Sequence, residues 1–582
     1  MKSKVFNKAI IFSVTVFFCL LMLKLYSYAG SPAVDSAGPQ ATSYPEVSVD
    51  KKNDKKNEST DSKTKTGKQT SGTELWSAPL QALSVNENVV SGKTLYVSTA
   101  GSNQNDGSEL KPWQSIKYAV SKLQAGDTLL IQEGTYQEGV KFLTSGTQDA
   151  WITIKGIGNV VLEGANLVEK KHGFDTNGQD YLRLQNLTVN HMIAAVHVGV
   201  GSQFVEIDGL QADGNKYAVR INTASNITVR NAYATNSNNA FRGYGLSQNL
   251  LFEDVKAYDS KDIYDGMDPN YRNGDGFVFE SEVSNLTIRR ATSANNWDAG
   301  FDIKASNVLI ENAEAYGNKN NFKTWGNNIT IRSSLSRHAK REYLSDGSSV
   351  EGNGITVVGG TTKVIGMTFV DNEDHDIRIY SGGNLTLENS IAARQNSSGT
   401  LFKNSGTFQS QRVLWYSKAL SKPNFTLGST DLWVDPQFVN WALGDYHLKE
   451  TSLAINFGAD DVTPSPYDLD GKTRIVDGRG DLGAFEFQAA LPKYLDGINQ
   501  GDKVSGKIFV KPSTLLFPSI SQVTYYLNGT SVYSTKSKPY MWGGSAGYDT
   551  TRLKNGVYIL TVDVKSSSTK TKKVLIAFLV QN

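Results

Sequence analysis

The chain has 582 residues with 39% apolar and 20% charged side chains, which suits two or three domains with sizeable cores and argues against wholesale disorder. Its net charge is only +2, and the lysine-rich stretch 51–68 supplies much of the positive side, so nothing points to a nucleic-acid surface. The single cysteine, Cys19, lies inside an N-terminal apolar run; disulfides, thiolate metal sites and cysteine nucleophiles are therefore excluded from the rest.

Lys2, Lys4 and Lys8 precede the apolar run 9–23, and Ser27-Tyr28-Ala29 follows as a small-x-small cleavage pattern. Residues 1–29 read as an export signal or, left uncleaved, as a membrane anchor. The run is roughly 15 residues against the roughly 20 that span a bilayer, which favours cleavage. The expected location is outside the cell, secreted or anchored at the surface through this segment. Residues 30–90 are poor in large apolar side chains and rich in Ser, Thr, Lys, Asp and Asn, the composition of a disordered polar linker.

The body, 91–490, opens with a strand at Thr94-Leu95-Tyr96-Val97-Ser98 and a helical stretch over 113–123. A short phrase then recurs: Asn, an aliphatic residue, any residue, an apolar residue. It stands at Asn186-Leu187-Thr188-Val189, Asn226-Ile227-Thr228-Val229, Asn249-Leu250-Leu251-Phe252, Asn285-Leu286-Thr287-Ile288, Asn307-Val308-Leu309-Ile310, Asn328-Ile329-Thr330-Ile331 and Asn384-Leu385-Thr386-Leu387. Neighbouring copies return after about 21 to 23 residues, the period of a solenoid. The periods hold short alternating β segments broken by Asn, Gly and Asp, so they predict an all-β, parallel β-helix with two or three strands per coil. The helical stretch would cover the open first coil. Interval 249–285 carries a loop insertion at 259–274, and interval 328–384 reads as two coils with a loop at 345–354. After a hinge at 491–497, residues 497–582 alternate as strands at a spacing that predicts an immunoglobulin-like β-sandwich.

The densest decoration falls in successive coils at Asn273-Gly274-Asp275-Gly276-Phe277, Asn295-Asn296-Trp297-Asp298-Ala299-Gly300-Phe301-Asp302 and Asn318-Lys319-Asn320-Asn321-Phe322-Lys323. Since one period returns the chain to the same lateral position, Asp275, Asp298 and Lys323 should lie on one face. Asp275, Asp298 and Asp302, with Gly276 and Gly300 for tight turns, suit a hard cation such as Ca2+; solvated Asp-Gly turns are the equal alternative. Lys323 is a general-base candidate or a solubilising lysine.

These residues, with Ala315-Tyr316-Gly317-Asn318 and Asn321-Phe322-Lys323, resemble the core pattern of the family 9 polysaccharide lyases, pectate-lyase-like right-handed parallel β-helix enzymes. The resemblance implies Asp275, Asp298 and Asp302 as calcium ligands and Lys323 as the base that takes the C5 proton of a uronic acid, giving β-elimination. The family often has two adjacent aspartates where this chain has Asp298-Ala299, a lost ligand. Arg337, Lys340 and Arg341, one coil further on, are candidates for holding substrate carboxylates; a solvated charged loop is the alternative. The implied partner is an acidic polysaccharide met by a monomer, with a membrane involved only if the N-terminal segment stays.

Other functions remain open on the same fold. Met267-Asp268-Pro269-Asn270 faintly resembles a segment of the alginate C5-epimerases, although their histidines are absent. Asp298 with Asp302 would serve a glycoside hydrolase as acid and base. A non-catalytic secreted adhesin would need neither.

Overall fold

The structure, a computed structural model, describes residues 92–165, 171–262, 273–344, 347–396, 398–567 and 570–582. The expected export signal at 1–29, the linker at 30–90 and Met267-Asp268-Pro269-Asn270 lie outside the described residues.

Residues 92–433 wind into a parallel β-helix with three strands per coil. One coil runs Ser284–Arg289, Thr292–Ala294 and Ala299–Ile303, and each strand pairs with its counterpart one coil on: Leu286 with Val308, Ser293 with Ala315, Phe301 with Phe322. The third strands make an 11-stranded sheet of their own. Toward the N-terminus the first two strands fuse. Gln203–Asp213 pairs with both Ser225–Arg230 and Tyr233–Thr235, which joins those two faces into one 22-stranded sheet.

The recurring phrase explains the first strand and the corner before it. Its two apolar positions, such as Ile227 and Val229 or Leu286 and Ile288, point inward and are buried. Except at Asn384, its asparagine takes the left-handed conformation, with φ of 59° at Asn226, 56° at Asn249 and Asn285, and 57° at Asn307. Stacked copies then bond through their amides: Asn249 Nδ2 donates to Asn226 Oδ1 at 3.1 Å, and Asn328 Nδ2 to Asn307 Oδ1 at 2.9 Å.

The helix proves short, Ile116–Val120, capped by the Ser115 side chain. It buries Ile116, Ala119 and Val120 against Val97, Leu129 and Ile131, closing the first coil. At the other end parallel pairing stops at Leu432–Trp433, and residues 436–490 form a cap with the antiparallel ladder Phe438–Asn440 with Asp445–Leu448.

The C-terminal region has one five-stranded sheet containing Ile520–Leu527, Gly556–Ser566 and Thr571–Val580. Facing it across the core are only the two-residue ladders Leu495–Asp496 with Lys511–Pro512 and Lys507–Ile508 with Tyr548–Asp549. The described residues of this region thus show one full sheet and two short ladders, and the expected immunoglobulin-like sandwich is not established by them. The described residues, from 92 on, belong to one compact unit. Ala577 and Leu579 share a core with Leu414, Leu432, Leu453 and Phe457, and Gln500 Nε2 donates to the Leu453 carbonyl at 2.7 Å. Leu495, in the expected hinge, is buried.

Two long excursions leave the coils at the same corner, between second and third strands. One runs from Tyr258 to Asp275, the other from Arg337 to Asn353. The second contains the small hairpin Glu342–Tyr343 with Ser349–Val350, so the loop expected at 345–354 begins earlier.

Candidate active site

The fourth positions of the third strands stack into a column that is polar except at the buried Val278. Arg220 is in register with Arg242, Arg242 with Val278, Val278 with Asp302, Asp302 with Lys323, and Lys323 with Thr356. Asp275 opens its strand two coils before Lys323; Asp298 sits immediately before the strand that carries Asp302.

Beneath them the coil is densely packed with stacked rings and buried amides. Phe241, Phe277, Phe301 and Phe322 stack ring on ring at 4.7 to 4.9 Å. At the adjoining corner lies a fully buried amide relay: Asn296 Nδ2 donates to Asn318 Oδ1 at 2.8 Å, Asn318 Nδ2 to Asn321 Oδ1 at 3.0 Å, and Asn321 Nδ2 to Asn372 Oδ1 at 3.0 Å. Gly276 and Gly300 lie inside strands, not in turns. A Cβ on Gly276 would meet Ser293 Oγ at 2.0 Å, and one on Gly300 would meet the Asn321 carbonyl at 2.6 Å, so both residues make room for this relay.

The geometry brings the four candidate residues together. Lys323 Nζ lies 3.7 Å from Asp298 Oδ2 and 4.0 Å from Asp302 Oδ2. Asp275 Oδ1 accepts the Ala299 amide at 2.9 Å, so the residue standing where the family often has a second aspartate binds Asp275 through its backbone. Further groups, not anticipated from the sequence, complete the cluster. Lys319 Nζ stands 3.0 Å from Asp298 Oδ1 and 3.4 Å from Glu342 Oε2. Lys304 Nζ bridges Glu280 at 3.0 Å and Asp302 at 3.3 Å, and Trp325 Nε1 donates to Asp302 Oδ1 at 2.8 Å. Trp325 is 41% exposed and presents its ring 5.4 Å from Lys323 Nζ.

Electrostatics single out Asp275. Burial, then the charges of Asp298 and Asp302, push its carboxyl well above the usual range, with Lys323 opposing. Burial alone would lower Lys304, but Asp302 and Glu280 outweigh it and hold the ammonium above its ordinary value. Among the described residues no three carboxylate or imidazole groups already surround one point as ligands. The donor set nonetheless fits a hard cation, since it consists of oxygens whose mutual repulsion a positive charge relieves. Asp298 Oδ1, 3.0 Å from Lys319 Nζ, has no aligned hydrogen bond to use it up.

The three basic residues expected on the substrate are not gathered here. Arg337 belongs to a second strand, where its Nε bonds Glu314 at 2.8 Å and its guanidinium lies 4.1 Å from the Tyr316 ring centre. Arg341 pairs with Asp374, and Lys340 is exposed at the start of the second excursion. Arg337 thus lies on another face, whereas Lys340 and Arg341 directly precede Glu342 at the corner beside Lys319. Register is the signal that finds Lys304, Lys319 and Trp325, because their partners lie one coil away.

A family model described as "Pel9A-like, right handed beta helix region" matches residues 95–334. An uncharacterized protein of Bacillus subtilis is 35% identical over 113 residues, covering 17% of this chain and only 24% of its own length. Pectate lyase L of Dickeya dadantii is 23% identical over 332 residues, covering 51% of this chain and 71% of that protein. Among solved structures, that of pectate lyase Pel9A aligns with a TM-score of 0.40 at 18% identity, over 69% of this chain and 97% of that one.

Proposed function

From the premise that residues 95–334 are a family 9 pectate-lyase-like right-handed β-helix, we propose that this chain cleaves a uronate-containing polysaccharide by β-elimination. The observation that carries the reading is the amine of Lys323, which lies within reach of two buried carboxylates on the strand face, 3.7 Å from Asp298 and 4.0 Å from Asp302, while Lys319 and Lys304 each pair with one of them.

Asp275, Asp298 and Asp302 would hold calcium. Bound there, the ion withdraws charge from a uronate carboxylate and so acidifies the neighbouring C–H. Lys323, in its neutral form, takes the C5 proton; the C5–H electrons become the C4–C5 double bond while the C4–O bond breaks and the departing sugar keeps that oxygen. Trp325 fixes the Asp302 carboxylate through its indole N–H and offers an exposed ring face to a sugar. Lys319 and Lys304 offset the surplus negative charge of Asp298, Asp302, Glu342 and Glu280. A secreted or surface-held protein suits such a substrate.

The test is ultraviolet absorbance of newly formed unsaturated uronide ends, measured with calcium over polygalacturonate, alginate and glycosaminoglycans. Appearance of that band with one polymer supports the lyase reading and names the substrate. Chain shortening with no such band means hydrolysis instead.

A further inference from the structure

We propose that Tyr217, Arg220, Arg242 and Tyr244 form a second, distal binding site on the third face, for a carboxylate of the same polymer several sugar units from the bond that is cut. The identity of the ligand rests on the lyase reading; the site itself rests on how this fold otherwise treats arginine.

Stacked arginines in this β-helix are matched by carboxylates on adjacent coils. Arg183 meets Glu206 at 2.6 Å, Arg230 meets Glu253 at 3.0 Å, Arg332 meets Glu311 at 2.8 Å and Arg337 meets Glu314 at 2.8 Å. The third face breaks this pattern. Arg220 and Arg242 are register partners, so two like charges sit one coil apart, roughly 4.8 Å in a parallel ladder. Glu280 serves Arg242 at 3.3 Å, whereas Arg220 has no carboxylate partner among the described residues. The Nε groups of both arginines are buried without an acceptor. Such an arrangement costs free energy unless an anion completes it.

Tyrosines hold the guanidinium groups in place. Arg220 lies 5.3 Å from the Tyr217 ring centre and 5.0 Å from that of Tyr244; Arg242 lies 5.8 Å and 5.4 Å from the same rings. Arg242 Nη1 also donates to the Tyr217 hydroxyl at 3.4 Å. A planar fork held this way is arranged for a carboxylate before the ligand arrives. Arg220 stands four register steps from Lys323, through Arg242, Val278 and Asp302. At the ladder spacing that is about 19 Å along the solenoid, a span only an extended polyanion bridges.

The experiment measures binding by calorimetry with the full chain and with Arg220→Gln and Arg220→Lys, using polygalacturonate, digalacturonate and fully methyl-esterified pectin. Arg220→Gln should weaken polygalacturonate binding roughly tenfold, the scale of one charged hydrogen-bonded contact, and leave the other two ligands unchanged. Arg220→Lys should fall between, keeping the charge and losing the fork. Unchanged polygalacturonate affinity in folded Arg220→Gln overturns the proposal; if that variant does not fold, wild-type affinity in Arg220→Lys overturns it. Wild-type protein that binds polygalacturonate without producing unsaturated ends overturns the lyase reading alone. Failure of the wild type to bind any of the three overturns the distal galacturonate site, while the lyase reading still stands or falls on the absorbance assay over alginate and glycosaminoglycans.

Discussion

Asp302 and Lys323 are register partners on neighbouring coils, and their charged ends meet at 4.0 Å across the ladder. Parallel pairing thus sets the distance between carboxylate and amine more firmly than loops would. Lys323→Ala should lower turnover roughly 10²- to 10⁴-fold, the range of a positioned general base. Stability should change by no more than about 1 kcal/mol, as Asp298 keeps Lys319 and Asp302 keeps Lys304. Arginine should not rescue, because a guanidinium stays protonated. Initial rates and thermal midpoints of both variants check this; an alanine variant retaining a tenth of wild-type turnover removes Lys323 as the base.

Chelation should abolish turnover and added calcium restore it, with the far-ultraviolet circular dichroism unchanged, because the coil stack is built from ladders and an apolar core. Asp275→Asn should raise the calcium concentration needed for half-maximal rate. Full activity in excess chelator removes calcium from the mechanism.

Trp325→Phe keeps an aromatic face but deletes the donor that fixes Asp302. Its turnover number should drop about tenfold with little change in KM, the signature of one lost charged hydrogen bond at the reacting centre. Trp325→Ala should raise KM as well, since the exposed ring goes too. Identical kinetics for the two variants would mean that the ring does not touch sugar.

The cap buries Arg474, Asp481 and Glu486 together. Burial, then the charge of Asp481, pushes the Glu486 carboxyl up to about 8, with Arg474 opposing. A carboxyl whose folded pKa exceeds its unfolded one, near 4.3, binds its proton more tightly when folded. Its contribution is therefore largest in acid and is lost as pH rises from about 4 to about 8. Thermal midpoints should fall across that window, and Glu486→Gln should flatten the slope. A slope unaltered by the substitution assigns the pH dependence elsewhere.

Deleting residues 497–582 should lower the thermal midpoint of the β-helix while leaving turnover on short oligosaccharides. The deletion uncovers the core that Ala577 and Leu579 share with Leu414, Leu432 and Phe457, and it removes the bond from Gln500 to the Leu453 carbonyl. Calorimetry of the truncated chain gives the answer; an unchanged midpoint would show that the C-terminal region adds nothing to the cap.

Asn226, Asn249 and Asn285 made the solenoid legible, because a left-handed corner and two buried apolar positions leave a fixed local signature. That Asp275, Asp298, Asp302 and Lys323 come close together was legible from the period. Lys304 and Lys319 were not. Lys304 meets Glu280 and Lys319 meets Asp298 on the preceding coil, so only the register of the ladder reveals those contacts. The same reason explains Arg337, whose coil was correctly placed while its face was not. The docking of Ala577 and Leu579 onto the last coils was invisible, since each is an ordinary apolar residue of an alternating strand.

The two excursions, from Tyr258 to Asp275 and from Arg337 to Asn353, leave by the same corner and bracket the coils that carry Asp302 and Lys323. Ladder pairing continues across the second excursion, Asn320 with Asn353 and Lys323 with Thr356, so the floor of the cluster does not depend on that loop. The hairpin Glu342–Tyr343 with Ser349–Val350 instead adds a side wall, from which Glu342 reaches Lys319.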